Sequence, residues 1–251
     1  MVTEYLLPDS AEQAASQLAG GAAVMAGGTT VMPAVLAGSL DATRVVGLAR
    51  AGLDAVERRD GRTVIGATVT LAEVAALEHA PALAAAAAGV GGPALRNMAT
   101  IGGNLLAGRP YGDTGVALLA FGAHVELGDR TVPLDRFWDE FRPGEELVRA
   151  VSFEDAAAAG SVYVRWARRA ANSPAVVCVA VAGGRVAIGG VGEHPVRSAG
   201  AEAHLDDPVA AGVAAAGEVD PPTDGIASGW YRRRMTEVFV RKALEQTREG
   251  E

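Results

Sequence analysis

Apolar residues in this chain fall into short runs broken by glycine pairs and polar turns, and the breaks predict the elements. Ser10-Ala-Glu-Gln13 has capping-box spacing and opens a short helix that Gly20-Gly21 ends. Residues 22–25 read as a buried strand, 31–36 as a helix carrying Pro33 in its first turn, and 44–48 as another short strand. Residues 54–59 and 62–68 flank Asp60-Gly61, the strongest hairpin signal in the chain. Thr70-Leu-Ala-Glu73 repeats the capping box and starts a helix to about residue 78, and Pro81 opens an alanine-rich helix that runs to Gly89. Residues 116–120 continue as a helix and 124–127 as a strand.

Around Pro143-Gly144 the pattern changes to alternation. Residues 147–153 and 161–168 read as strands, and 175–181 with 185–188 as a hairpin turning at Gly183-Gly184. A polar, proline-rich passage over 193–224 holds short helices, and one long helix closes the chain from Trp230 to about Arg248. Residues 156–160 read as a linker. The expected division is a domain over 1–155, with lobes of about 1–53 and 54–155, and a second domain over 160–248.

Composition narrows the function. The 251 residues are 49% apolar but only 5% aromatic, so the core is built from Val, Leu, Ile and Ala. Thirty acids against 22 bases give a net charge of −8, which argues against a nucleic-acid surface and an anionic-membrane surface. The single cysteine, Cys178, sits in an apolar run and reads as a small buried hydrophobe. One cysteine leaves no intrachain disulfide and no Cys-ligated cluster. The N-terminus lacks the basic and apolar regions of a signal peptide, so a cytoplasmic location is expected.

The candidate chemistry lies in two glycine loops. One is Met25-Ala26-Gly27-Gly28-Thr29-Thr30; the other is Thr100-Ile101-Gly102-Gly103-Asn104, inside a glycine-rich stretch over 91–113. Glycine lets a ligand touch the main chain, and exposed amides with Thr and Asn side chains suit a phosphate or the polar edge of a cofactor. A long diphosphate ligand needs such backbone at more than one place. Asp113 reads either as a helix N-cap or as the acceptor for a ribose or ribityl hydroxyl. Arg96 and Asn97 suit a structural turn as well as a cofactor contact; Tyr111 and Trp166 read as packing first. Arg232, Arg233 and Arg234 read as a solvated face. No histidine pair has metal-ligand spacing: His79 ends a helix, where a cation suits the dipole, His124 begins a strand, and His194 and His204 lie in loops. No metal site and no catalytic acid, base or nucleophile is expected.

The run 95–104, ending Thr100-Ile101-Gly102-Gly103-Asn104, resembles the second FAD-binding motif of the molybdenum hydroxylase flavoproteins. These are the medium subunits of carbon monoxide and related bacterial dehydrogenases, and the flavin domain of xanthine dehydrogenase. Ala26 to Pro33 resembles the family's first motif, and the segment to Asp113 the one carrying a flavin-contacting aspartate. Tyr163-Val-Arg-Trp-Ala-Arg168 is similar to a Tyr-x-Lys-x-x-Arg opening of the C-terminal domain, with Arg165 in place of the Lys. Residues 228–232 and 240–244 resemble the closing helix. The resemblance implies an α+β fold: a bipartite PCMH-type, vanillyl-alcohol-oxidase-like FAD-binding domain, then a C-terminal domain of antiparallel strands and helices. It implies non-covalent FAD on both loops, Asp113 on a hydroxyl and Arg165 near the flavin ring. It also implies an iron–sulfur small subunit and a molybdopterin large subunit as partners, carrying the clusters and the molybdenum cofactor, and NAD, quinone or oxygen as acceptor. The expected function is electron transfer through FAD. The alternatives are a stand-alone FAD-dependent oxidase or reductase and a non-redox nucleotide-binding scaffold.

Overall fold

The computed structural model describes residues 2–108, 112–169 and 172–249. The chain opens with β1 (Glu4–Leu6), α1 (Ala11–Ser16), β2 (Ala23–Met25), α2 (Val31–Leu36) and β3 (Arg44–Gly47). These strands form a parallel sheet in the order β1-β3-β2, with Val46 and Leu48 buried against Ala11, Ala14 and Leu18. Ser10 caps α1 by accepting from the Gln13 amide, as its spacing predicts.

The next stretch comprises β4 (Val56–Arg59), β5 (Arg62–Gly66), α3 (Leu71–Val74), α4 (Pro81–Ala88), α5 (Pro93–Arg96), α6 (Ile101–Leu106), α7 (Asp113–Phe121), β6 (His124–Leu127), β7 (Arg130–Pro133), α8 (Leu134–Glu140), β8 (Val148–Glu154) and α9 (Asp155–Ala158). Its five-stranded sheet runs β4-β5-β8-β6-β7, entirely antiparallel. The Asp60-Gly61 hairpin forms with both residues at positive φ. Thr70 and Glu73 make the full capping box, although α3 stops at Val74, short of the predicted end. His79 is a correction. It follows no long helix, and its Nε2 lies 2.9 Å from the Thr63 hydroxyl, which donates to Asp155 Oδ1 at 2.5 Å. Burial, then Arg58, lowers its pKa, so it is not a helix-end cation. The stretch over 156–160, read as a linker, holds most of α9.

The last sheet, β12-β11-β10-β9, is built from β9 (Val162–Ala167), β10 (Ala175–Ala182), β11 (Arg185–Gly189) and β12 (Val196–Arg197). It is followed by α10 (Ala199–Glu202), α11 (Pro208–Glu218) and α12 (Gly229–Glu249). Every residue of β10 is buried, and its two faces differ. Val177, Val179 and Val181 pack with Phe239, Val240 and Leu244 of α12. Cys178, Ala180 and Ala182 point the other way, into the cluster that holds Val116 and Ala120 of α7. Small side chains on that face let α7 lie close. A Cβ on Gly189, beside Cys178, would come within 2.5 Å of Val116 Cγ2.

Arg232 was expected in solvent, and the structure reverses this: its side chain is fully buried. Its guanidinium donates to both oxygens of Asp224 at 2.9 and 3.0 Å, to the Gly190 carbonyl at 3.0 Å and to the Val176 carbonyl. One arginine thereby ties α12 to β10 and to the loop after β11. Arg233 and Arg234 do reach solvent, with Asp220 and Glu237 beside them. Burial raises the Asp224 pKa, but the amides of Ala227 and Ile226 and the Arg232 guanidinium outweigh it and hold the carboxyl well below the usual range. A depressed carboxyl stabilises the fold above the unfolded pKa near ~4, and that contribution is lost as pH falls. Arg232→Met should therefore cost roughly 3–5 kcal/mol in urea unfolding at pH 7. The difference from wild type should shrink below about pH 3. Equal midpoints at pH 7 would contradict the staple.

Candidate functional site

The first glycine loop packs at Gly27 against Met98 and Ala99, the two residues just before the second motif. Loop one follows β2, whose pairing with β3 carries the chain to the sheet's C-terminal edge. There Gly27 lies so close to the Met98 carbonyl that a Cβ would overlap the oxygen, and it would stand 3.2 Å from Ala99 Cα. No other residue type permits this approach. Gly28 takes φ 71°, which turns the chain into α2. Among the described residues, the amides of Gly27, Gly28, Thr29 and Thr30 donate to no acceptor, and Thr30 gives α2 no side-chain cap. Four successive amides, two of them on glycine, are thus free to donate to a ligand.

The second motif is not a loop. Thr100 is the N-cap of α6, and Ile101 to Asn104 are helical. Its amides are already engaged: Ile101 donates to Val69 at 2.9 Å, Gly102 to Ala67 at 3.0 Å and Gly103 to the Thr100 hydroxyl at 3.2 Å. With Leu71 donating to Ala99 at 2.8 Å and Thr70 bridging Thr100, the entry to α6 is hydrogen-bonded across to 67–71. The expectation of free amides here is thus replaced by a different role. Gly102 is a packing glycine, because a Cβ would sit 2.9 Å from both Cβ and O of Ala67. Gly103 is exposed, and a Cβ there would meet only Thr100 Oγ1, at 3.1 Å. Asn104 is buried and turned to the protein: its Oδ1 accepts from the Thr114 amide at 3.1 Å and the Thr114 hydroxyl at 2.6 Å.

Asn104 therefore sets the start of α7, and with it Asp113. Asp113 is the first residue of α7 rather than its cap; Gly112 holds the cap position without a side chain to serve it. The carboxylate is 6% exposed, and its Oδ1 accepts from the Tyr163 hydroxyl at 2.8 Å and from Arg165 Nε at 3.3 Å. Arg165 also donates to the Ser173 carbonyl, and its Cδ would be 3.2 Å from a Cβ on Gly89 at the end of α4. Burial, then Cys178 and Asp113, pushes the Tyr163 phenol well above its ordinary pKa, so it stays protonated and donating. Burial likewise moves the Cys178 thiol up to about 12, and it is inert.

The remaining candidates sort readily. Arg96 donates to the carbonyls of Val90 and Gly91 at 3.1 and 2.9 Å, which is the turn role, and Asn97 is the exposed C-cap of α5. Trp166 faces α12, with Nε1 3.0 Å from the Tyr231 hydroxyl. His194 stacks on Trp138 at 5.3 Å. Tyr111 lies outside the described residues. The sequence reading named Tyr163 only within a family motif and missed Thr114 and Ala67. The period of two along β9, which places Tyr163 and Arg165 on one face, was the available signal for the first.

A family model described as the FAD binding domain in molybdopterin dehydrogenase matches residues 1–153, and the chain belongs to this family. It is similar to the alpha subunit of the 6-hydroxypseudooxynicotine dehydrogenase complex of Paenarthrobacter nicotinovorans, 28% identical over 98% of this chain and 95% of that one. It is also similar to the glyceraldehyde dehydrogenase medium chain of Sulfolobus acidocaldarius, 29% identical over 62% of this chain and 64% of that one. Carbon monoxide dehydrogenase of Hydrogenophaga pseudoflava superposes with a TM-score of 0.90 at 26% identity, over all of this chain and 98% of the other. Quinoline 2-oxidoreductase of Pseudomonas putida 86 does so at 0.89 and 21%, over the same shares, a likeness of fold. The α+β architecture expected from the motifs is the architecture found.

The two glycines of the second motif should separate by assay. Gly102→Ala should lower stability by about 1–3 kcal/mol through overpacking against Ala67, whereas Gly103→Ala should leave the melting temperature within a few degrees of wild type. Thermal melts of the two variants, side by side, check this.

Proposed function

We propose that this chain is the FAD-binding electron-transfer subunit of a molybdenum-containing dehydrogenase, with FAD held non-covalently across the junction of the two motifs. The observation that carries the reading is the contact of Gly27 with Met98 and Ala99, which brings four uncommitted amides against the residues that lead into the second motif. The residues fit such a group. The run Met25, Ala26, Gly27, Gly28, Thr29 and Thr30 takes a diphosphate, Gly103 lets the dinucleotide touch the main chain, and Asp113 has a second carboxylate oxygen for a hydroxyl. Thr100, Ile101, Gly102 and Asn104 act by holding that surface in place.

Bound there, FAD supplies redox chemistry, accepting electrons singly or in pairs. The protein's share is position and electrostatics. The amides of loop one neutralise phosphate charge, and Arg165 places a cation, already tied to Asp113, at the edge of the site. None of these groups transfers a proton in the reading, which suits a subunit whose task is relay.

The domain division in this reading is a cofactor domain over 1–155, with lobes of about 1–53 and 54–155, and a C-terminal domain over 160–248; three separate sheets support it. With Cys178 as its single cysteine, the chain leaves cluster binding to an iron–sulfur subunit and substrate oxidation to a molybdopterin subunit. The acceptor class is NAD, quinone or oxygen. No helix among the described residues is long and apolar enough to cross a membrane, which is compatible with a cytoplasmic complex.

Titrating apo-protein with FAD tests the reading through quenching of flavin fluorescence. Wild type should bind one FAD per chain. Gly28→Val should lose most of that affinity, because φ 71° strains a β-branched residue and its side chain crowds the amides. A wild-type chain that quenches no flavin overturns the assignment. Bleaching of the isolated holoprotein by an organic substrate would favour the stand-alone oxidase over the complex.

A further inference from the structure

Asp113 stands on α7, whereas Tyr163 and Arg165 stand two residues apart on β9, on one face of that strand. Both donate to the same oxygen, Oδ1. Among the described residues, Oδ2 accepts from nothing, and Asp113 lines a small crevice with Gly112, Cys178, Gly190 and His194. The carboxylate is thus gripped on one oxygen by the C-terminal sheet and left with the other to spend on a ligand. The grips are unequal. The Tyr163 bond is 2.8 Å, the Arg165 bond is 3.3 Å, and the guanidinium is shared with the Ser173 carbonyl. A short bond from a hydroxyl that keeps its proton is the stronger constraint on carboxylate rotation.

We propose that Tyr163 is a positioning residue of the cofactor site: its hydroxyl fixes Asp113 so that Oδ2 is presented to a hydroxyl of FAD. Cofactor affinity is then set partly by the C-terminal sheet, outside both glycine motifs. The inference rests on the FAD reading above and adds to it a residue that acts through Asp113 without touching the ligand. Packing alone makes a different statement. The Tyr163 ring lies against the cluster that includes Cys178 and Ala180, and a purely structural ring would tolerate loss of its hydroxyl.

A double-mutant cycle on the full-length apo-protein, read by FAD fluorescence quenching, tests this. Tyr163→Phe should raise the FAD Kd about tenfold, and Asp113→Asn should raise it at least as much. The double variant should match Asp113→Asn within about twofold, because Tyr163 has no other route to the ligand. Tyr163→Met, which also lacks the donor, supplies the same comparison where the Phe variant fails to fold. Wild-type affinity in Tyr163→Phe, or losses that simply multiply in the double variant, overturns the positioning role and leaves FAD binding standing. Wild-type protein that takes up no FAD removes both.

Discussion

The structure depends on one close approach of backbone to backbone, where Gly27 rests on the Met98 carbonyl. Each side of that contact is held by a separate sheet. Loop one is carried by β2 and β3 of the parallel sheet, and Met98 by the turn after α5, whose next residues hydrogen-bond to 67–71 just after β5. Neither sheet buries the junction by itself, since Gly27 is only half-buried and Met98 is exposed. The site is therefore a seam between two small layers, and its geometry is as rigid as the Gly27 contact allows. A methyl group there would prise the layers apart and carry the four amides away from Met98 and Ala99.

A second constraint works from below. Strand β10 is buried on both faces and sorts its side chains by size, valines toward α12 and Cys178, Ala180 and Ala182 toward α7. The small face lets α7 settle deeply, and that depth brings Asp113 within reach of Tyr163 and Arg165 on the neighbouring strand. Arg232 contributes from the far side by holding Val176 of β10 and Gly190 after β11. Packing in the C-terminal sheet and the orientation of a site carboxylate are thus parts of one arrangement.

Local signals were legible in the sequence because they act over a few residues: the Asp60-Gly61 turn, the Thr70–Glu73 box, the Gly183-Gly184 hairpin and the long last helix all formed. The site was legible as composition but less so as roles. Thr100 to Asn104 looked like free backbone because glycine pairs suit loops. The partners of its amides, Val69, Ala67 and Thr100, become visible only when 67–71 is laid beside 99–102. Asn104 and Gly102 turned out to support the site from behind. Arg232 and His79 were misjudged for a related reason. An arginine reads as solvent-facing until three acceptors surround it, and a histidine after a helical pattern reads as a cap until Thr63 of β5 and Asp155 of α9 arrive beside it.

Arg165 shows how the same residue type answers two demands. Where the family motif has lysine, this chain has a planar fork with several donors, and the structure uses them separately: Nε to Asp113 and Nη2 to the Ser173 carbonyl. Among the described residues, Nη1 donates to nothing. An ammonium committed to the same two acceptors would have one donor left on a flexible stem, whereas the guanidinium keeps a fixed plane whose remaining hydrogens have a defined direction. Pairing with Asp113 also tempers the charge this residue brings to the site, since a 3.3 Å ion pair presents a dipole rather than a bare cation. The exchange of lysine for arginine thus trades a free positive charge for a rigid one, and it gives the C-terminal sheet a hold on Asp113 at the start of α7.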